Sequence, residues 1–223
     1  MDWIEFSLAL IVFFLSHGTL RRPPIKPWLV KLIGTGGFTF GYSLLSLGVL
    51  AWLISAAGRA PFVSLWYWQP WHNHVVLMVM FAVCLILGLA IGRPNPFSFG
   101  GSKNAAFDPD RPGIVGVMRH PLLAALALWA LAHVFANGDL AHLIMFGTFA
   151  VFAMVGGRII DRRKNRLMRA EWEELRQRVK QSGLSKALLS LMREPIRLLA
   201  GAAGYVALIV AHPYLFGVNP IAG

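Results

Sequence analysis

Residues 74–92 read HVVLMVMFAVCLILGLAIG and contain no charged side chain. A helix of about 20 residues spans the hydrocarbon core of a bilayer, so this run is long enough to cross one. Lipid offers no hydrogen-bond partner to the backbone, and a spanning segment is therefore a helix or a strand of a closed barrel. Barrel strands alternate apolar and polar residues, whereas this run is apolar on every side. It predicts a transmembrane α-helix.

The rest of the chain repeats this pattern. Of its 223 residues, 57% are hydrophobic and 14% are charged, whereas a soluble domain carries about a quarter charged residues. We therefore predict an all-α fold, a polytopic membrane helix bundle with about six transmembrane helices in a single domain over residues 1–223. The six predicted spans are 3–19, 32–57, 74–92, 121–138, 140–155 and 198–216.

The basic residues indicate how these spans are oriented. The formal net charge is +11, and positively charged loops stay on the cytoplasmic side of a membrane. If both termini lie outside, 20 of the 21 lysine and arginine residues fall in cytoplasmic connections, and only Arg59 falls outside. A wrong helix count would scramble this partition, so it supports both the count and the orientation. No nucleic-acid-binding motif accompanies the charge, and nucleic acid is not an expected partner.

A charged segment at residues 158–197 separates the last two predicted spans. Its spacing of apolar residues predicts one cytoplasmic amphipathic helix with a basic face. Two placements stay open: the helix lies on the membrane surface, or it docks on the protein itself. The apolar residues, three to five positions apart, are Trp172, Leu175, Val179, Leu184, Leu188 and Leu191.

Histidines inside apolar runs are the first candidate functional residues. His17 and His133 both lie within predicted spans, and burying an imidazole costs free energy unless it has a partner. Two neutral imidazoles on facing helices can bind a haem iron from both sides. A hydrogen bond between helices is the alternative for each.

A second candidate is the tripeptide Arg119–His120–Pro121 at the start of the fourth span. A helix start carries free amides and partial positive charge. Together with Arg119, it is a candidate site for a carboxylate, a phosphate or a haem propionate. An ordinary pair of interfacial basic residues is the alternative.

Other catalytic patterns are missing from the sequence. It contains no P-loop, serine-based triad or paired catalytic carboxylates, so hydrolysis and nucleotide turnover are not expected. Asp161 is expected to pair with Arg158 or Arg162 on its own helix.

Several short motifs occur in a specific order along the chain. They are Ser-His-Gly at 16–18, Arg-His-Pro at 119–121, Leu-Ala-His at 131–133, Asn-Gly-Asp at 137–139 and Gly-Gly-Arg at 156–158. Over most of the chain this set closely resembles the NnrU family of bacterial membrane proteins. The resemblance implies a multi-pass protein of the bacterial inner membrane. It also implies an association with denitrification, notably with expression of nitrite and nitric oxide reductases.

The NnrU family is similar to plant zeta-carotene isomerase, a polytopic membrane enzyme that uses haem b. By motif, the histidines implicated in its haem binding fall on His17 and His133. The resemblance therefore implies haem b as cofactor, His17 and His133 as metal ligands, and a hydrophobic small-molecule ligand. Arg119 and His120 join the expected cofactor-binding residues. An isomerase-like redox activity is also implied, but Ala130 stands where the relative has a cysteine, so a ligand-switching mechanism does not carry over.

The depth of the histidines leaves a second ligand pair open. His17 lies near the cytoplasmic end of its span, whereas His133 lies about 12 residues into the fourth span, roughly 18 Å deeper at 1.5 Å per residue. Axial ligands on opposite haem faces should lie at similar depth, so His17 with His120 is the alternative pair.

Two other function classes also stay open. A more distant similarity is to membrane methyltransferases of the isoprenylcysteine type, in which Arg119 and His120 would hold the carboxylate of S-adenosylmethionine. Residues 171–174 match the Glu-rich motif of those enzymes only loosely. The third class is a non-enzymatic membrane scaffold that recruits a partner through residues 158–197. The lipid bilayer is the one partner common to all three classes.

Overall fold

The computed structural model describes residues 3–221, and helices account for most of them. No strand occurs in that range beyond an isolated bridge between Ser64 and Asp139, which confirms the predicted all-α class. A 3-10 turn covers Asn104–Ala106. The α-helices are α1 (Trp3–Thr19), α2 (Ile25–Arg59), α3 (Pro70–Ala90), α4 (Ile114–Val117), α5 (Pro121–Asn137), α6 (Leu140–Met168), α7 (Ala170–Ser182), α8 (Leu184–Met192) and α9 (Pro195–Phe216).

Four of these helices, α2, α3, α6 and α9, are long and apolar enough to cross a membrane. Helices α1 and α5 are also apolar but have 17 residues each. At 1.5 Å per residue they reach about 25 Å, slightly less than the hydrocarbon core of a typical bilayer. The apolar helices indicate a membrane protein, while the six-span count and the outside position of both termini stay predictions.

Two helix boundaries lie furthest from those predicted. Helix α2 begins at Ile25 rather than near residue 32, and it bends at Gly34, whose φ of 73° and ψ of 167° are not helical. Helix α6 continues to Met168 instead of ending near residue 155. The predicted end followed the change from apolar to charged residues. That change does not stop a helix, because arginine and lysine are good helix formers and a glycine costs only about 1 kcal/mol.

The predicted amphipathic helix at 158–197 is divided into several pieces. It comprises the end of α6, then α7, α8 and the first residues of α9, with positive φ angles at the breaks at Arg169 (54°) and Gly183 (80°). On α7, Trp172 is buried in an apolar cluster with Phe97 and Ile114, so this helix docks on the protein itself. Helix α8 behaves differently, because its apolar side chains Leu184, Leu188, Leu189 and Met192 are exposed.

The chain forms two compact units, and the expected single domain stays a prediction. The first unit runs to Trp66 and includes Gly138–Met145. Helix α1 packs against α2, and Glu5 contacts both Arg59 and the indole nitrogen of Trp52. The connection after α2 is held to the start of α6, where the Leu65 amide donates to the Gly138 carbonyl at 2.8 Å.

The second unit comprises Tyr67–Asn137 and the chain from Phe146 onward. Helix α3 packs against α5 and α9. A Cβ on Gly88 would lie 2.5 Å from the Arg197 carbonyl oxygen, so α3 and α9 approach as closely as only glycine permits. Half-buried Glu194 forms an ion pair with Arg93. Arg197 donates to the Ile91 carbonyl at 2.8 Å, which ties α9 to the end of α3.

Candidate functional site

His17 lies near the end of α1 in the first unit and is half-buried. Its Nδ1 is 2.9 Å from the carbonyl oxygen of Phe13, one turn earlier in the same helix. The imidazole stacks on the Phe13 ring at 4.1 Å between centroids and meets the edge of Tyr42, on α2, at 5.8 Å. The same nitrogen also lies 3.5 Å from the Ser16 hydroxyl. The ring is therefore fixed by polar contacts at Nδ1 and by aromatic contacts from two helices.

His133 lies in α5 in the second unit and is also half-buried. Its Nδ1 is 2.7 Å from the carbonyl oxygen of Trp129, again one turn earlier. The ring packs against Trp129 and against Phe146 of α6, with centroids 5.2 and 5.1 Å away. The surroundings thus repeat those of His17.

Both histidines are held in the same tautomer. A carbonyl oxygen only accepts hydrogen bonds, so Nδ1 carries a proton in each ring, and the neutral form of each imidazole has its lone pair on Nε2. Histidines that bind metals commonly donate their other ring nitrogen to a carbonyl or carboxylate in this way. Each imidazole is therefore suited to bind iron through Nε2. His17 and His133 belong to different units, and within residues 3–221 no group of three or more His, Cys, Asp or Glu side chains could hold a metal ion.

The third histidine, His120, has hydrogen-bond partners at both ring nitrogens. Nδ1 is 3.0 Å from the hydroxyl of Ser98, and Nε2 is 3.0 Å from Oδ1 of Asp161. The other carboxylate oxygen of Asp161 is 3.0 Å from Nη2 of Arg119. Ser98, His120, Asp161 and Arg119 thus form one continuous chain of polar contacts in the second unit.

The protonation of His120 follows from its surroundings. Burial lowers its pKa below the ordinary value, and neighbouring Arg119 lowers it further, while the Asp161 carboxylate opposes them and raises it. The imidazole is therefore neutral at pH 7. Because a carboxylate accepts, Nε2–H donates to Asp161, and Nδ1 accepts the Ser98 hydroxyl proton.

The surrounding backbone fixes this arrangement. The side-chain amide of buried Asn95 donates to the Arg119 carbonyl at 3.0 Å, and its oxygen accepts the Phe97 amide at 3.1 Å. On α6, a Cβ on Gly157 would lie 3.1 Å from Cδ2 of His120, so the imidazole rests on a helix surface without a side chain. Asp161 follows Gly157 by four residues and therefore lies on the same helix face.

A cavity of about 470 Å³ opens beside Arg119. Its charged lining residues are Arg119, Arg176 and Lys180, and no acidic residue lines it within the described chain. Arg119 and Arg176 also lie over the Trp172 ring, at 5.6 and 5.5 Å from its centroid. The cavity is therefore positively charged, and two of its three cations make cation–π contacts with Trp172.

This charge bears on the methyltransferase hypothesis. S-adenosylmethionine has a sulfonium and an ammonium group against one carboxylate, so a lining of three cations without a carboxylate does not favour it. His120 has both ring nitrogens engaged by Ser98 and Asp161. Of the two residues predicted to hold the cofactor's carboxylate, Arg119 lines the cavity and His120 positions Arg119 through Asp161.

Sequence reasoning missed two members of the polar chain. The expected local pairing of Asp161 with Arg158 or Arg162 is wrong, since Asp161 contacts Arg119 and His120 instead. Ser98 is not predictable from the sequence, because a lone serine in a Gly- and Pro-rich stretch has no distinctive pattern. The spacing of Gly157 and Asp161 was a usable signal, because a flat surface and a carboxylate on one helix face suit a buried imidazole.

Comparison with known proteins gives the same family as the order of the short motifs. No curated protein and no solved structure matches the chain. The sequence profile described as "NnrU protein" matches residues 5–220, nearly the whole length. This chain therefore belongs to the NnrU family.

Proposed function

We propose that this chain is a multi-pass protein of a bacterial inner membrane that binds haem b and supports denitrification through expression of nitrite and nitric oxide reductases. His17 and His133 are the residues that would hold its iron, each through Nε2. The observation that carries the proposal is the shared tautomer. Each imidazole donates Nδ1–H to the carbonyl one turn earlier, which leaves the lone pair on Nε2.

The aromatic surroundings support the same assignment. A porphyrin is a flat apolar ring that packs well against aromatic side chains, and Phe13 and Tyr42 surround His17 as Trp129 and Phe146 surround His133. When bound, haem b supplies a redox-active iron. The protein's part is to hold the imidazoles and to keep water from them.

The contacts of His120 favour His133 as the second ligand. His120 would have to give up either Ser98 or Asp161 before it could bind iron. Arg119 is therefore the candidate partner of a propionate through its charge, and neutral His120 serves the cofactor only by positioning Arg119 through Asp161. Ala130 is fully buried in α5, and its methyl group cannot bind iron, so the proposal contains no ligand switch.

A haem spectrum tests the proposal. The full chain, purified in mild detergent from haem-supplemented cells, should give b-type bands in a reduced-minus-oxidised spectrum. His17→Ala and His133→Ala should each lower the haem content to about a tenth, because one axial ligand is lost. His212→Ala is the matched control, since His212 also donates Nδ1–H to a carbonyl, that of Val218 at 2.7 Å, but is not a proposed ligand.

Two results would contradict this assignment. Absence of haem bands in the supplemented wild-type protein would refute haem binding. Loss of haem in His120→Ala together with full haem in His133→Ala would move the second ligand to His120.

The denitrification role needs its own test in cells. Deletion of the gene should lower nitrite and nitric oxide reductase levels, and the wild-type chain should restore them. If His17→Ala restores them equally well, haem binding is not the basis of that role.

A further inference from the structure

The cavity beside Arg119 and the exposed face of α8 lie next to each other, and neither contains His17 or His133, the residues proposed to bind the haem iron. Gly183 and Leu184, at the start of α8, belong to the cavity lining. We propose that this cavity binds the phosphate headgroup of an anionic membrane phospholipid, with α8 lying in the interface beside its acyl chains.

The charge of the cavity supports an anionic group. Arg119 and Arg176 each have one acidic contact, with Asp161 at 3.0 Å and with Glu173 at 3.7 Å. Lys180 has no ion-pair partner among residues 3–221. One positive charge is therefore left uncompensated at the cavity, and the carboxylates lie outside its lining. The start of α8 adds the positive end of a helix dipole.

The apolar part of the lining supports an amphiphile over a free anion. Phe97, Val115, Val179 and Leu184 line the same cavity as the three cations. A fully hydrated inorganic anion gains nothing from such a surface, whereas a glycerolipid headgroup presents both phosphate and apolar atoms to it.

Helix α8 supplies the path for the acyl chains. Leu184, Leu188 and Met192 recur every four residues and so share one face, and they are 59%, 47% and 75% exposed. An adjacent face of α8 packs inward through Ala187, which is fully buried. A short helix with an outward apolar face and basic neighbours is typical of a membrane interface, and basic pockets beside membrane helices bind anionic lipid headgroups.

The test uses the full chain, delipidated in mild detergent. Three probes are added separately: dioleoyl-phosphatidylglycerol, dioleoyl-phosphatidylcholine and inorganic phosphate, with binding followed by native mass spectrometry and by the thermal shift. Phosphatidylglycerol should bind and stabilise the wild-type chain, and the other two probes should do neither. The site does not involve the haem ligands, so this result is independent of the haem spectrum.

Two double variants separate the cavity from general surface charge. Arg176→Gln with Lys180→Gln removes two cavity cations, and phosphatidylglycerol binding should fall by roughly thirty-fold, since each basic residue near an anionic lipid contributes about fivefold. The control is Lys186→Gln with Arg193→Gln, which also removes one lysine and one arginine from residues 158–197. Both residues are exposed, and neither lines the cavity. This control should bind as the wild type does.

The other outcomes overturn the proposal. Equal binding by the cavity variant and the wild type would place the lipid elsewhere. Equal losses in the cavity variant and the control would indicate nonspecific attraction. Stabilisation by inorganic phosphate alone would indicate a soluble anion, and displacement of phosphatidylglycerol by S-adenosylmethionine would return the cavity to the methyltransferase hypothesis.

Discussion

Asp161→Asn removes the carboxylate that joins Arg119 and His120. The asparagine oxygen can still accept the Nε2 proton of His120, so that contact survives in a neutral form. The amide nitrogen, however, would face the guanidinium of Arg119, which now lies 3.0 Å from Oδ2 of Asp161. The substitution therefore removes one charge-assisted contact and leaves Arg119 beside a donor.

The expected cost follows from the partial burial of this site. The side chains of Asp161 and Arg119 are 24% and 36% exposed, so water screens part of their interaction. Hydrogen bonds to charged groups contribute about 1.5–3 kcal/mol, and we expect Asp161→Asn to cost about 2 kcal/mol of unfolding free energy. For a chain of this size that corresponds to a fall in melting temperature of roughly 4–8 °C.

The assay is thermal unfolding in detergent, followed by loss of the monodisperse species. Asp110→Asn is the matched control, because Asp110 also contacts an arginine, Arg178 at 2.7 Å, but with side chains 70% and 45% exposed. That pair should contribute at most about 1 kcal/mol. Equal shifts for the two variants would refute the reasoning that partial burial makes the Asp161–Arg119 contact stronger than the exposed Asp110–Arg178 pair.

Three further predictions concern other contacts of the second unit. The unfolding free energy should decline as the pH falls below about 6.5, because burial lowers the pKa of His120 and the unfolded chain binds its proton first; an unchanged decline in His120→Gln would contradict this. Gly88→Val should lower the unfolding free energy by about 1–3 kcal/mol, since its Cβ would lie 2.5 Å from the Arg197 carbonyl oxygen. An unchanged melting temperature would contradict this, because it would mean that α3 and α9 can separate without cost. Glu194→Gln should lower the unfolding free energy by about 3 kcal/mol, because it leaves half-buried Arg93 without its carboxylate partner. A fall in stability no larger than that caused by Asp110→Asn would show that water screens the Arg93–Glu194 pair.

The sequence was most informative where lipid leaves few choices. A run such as 74–92 can only be a helix in a bilayer, and α3 covers most of it. Helix ends were harder to place, because the change from apolar to charged residues marks the membrane boundary rather than the end of a helix. Helix α6 therefore continues past Gly157 to Met168.

Only individual residues of the site, and not the contacts between them, could be predicted from the sequence. The motif Arg119–His120–Pro121 was recognised, but its partners Ser98 and Asp161 are 22 and 41 positions from His120, and spacing along the chain does not indicate such contacts. The cavity depends on α4, α7 and α8 packing together. A single amphipathic helix, as the sequence predicts there, would form no such cavity.

Electron paramagnetic resonance of the oxidised protein tests the central claim most directly. If His17 and His133 bind one haem b, the wild-type chain should give a low-spin six-coordinate signal, and each alanine variant should change it to high-spin. A haem-loaded protein whose low-spin signal survives both substitutions would contradict the proposed ligands.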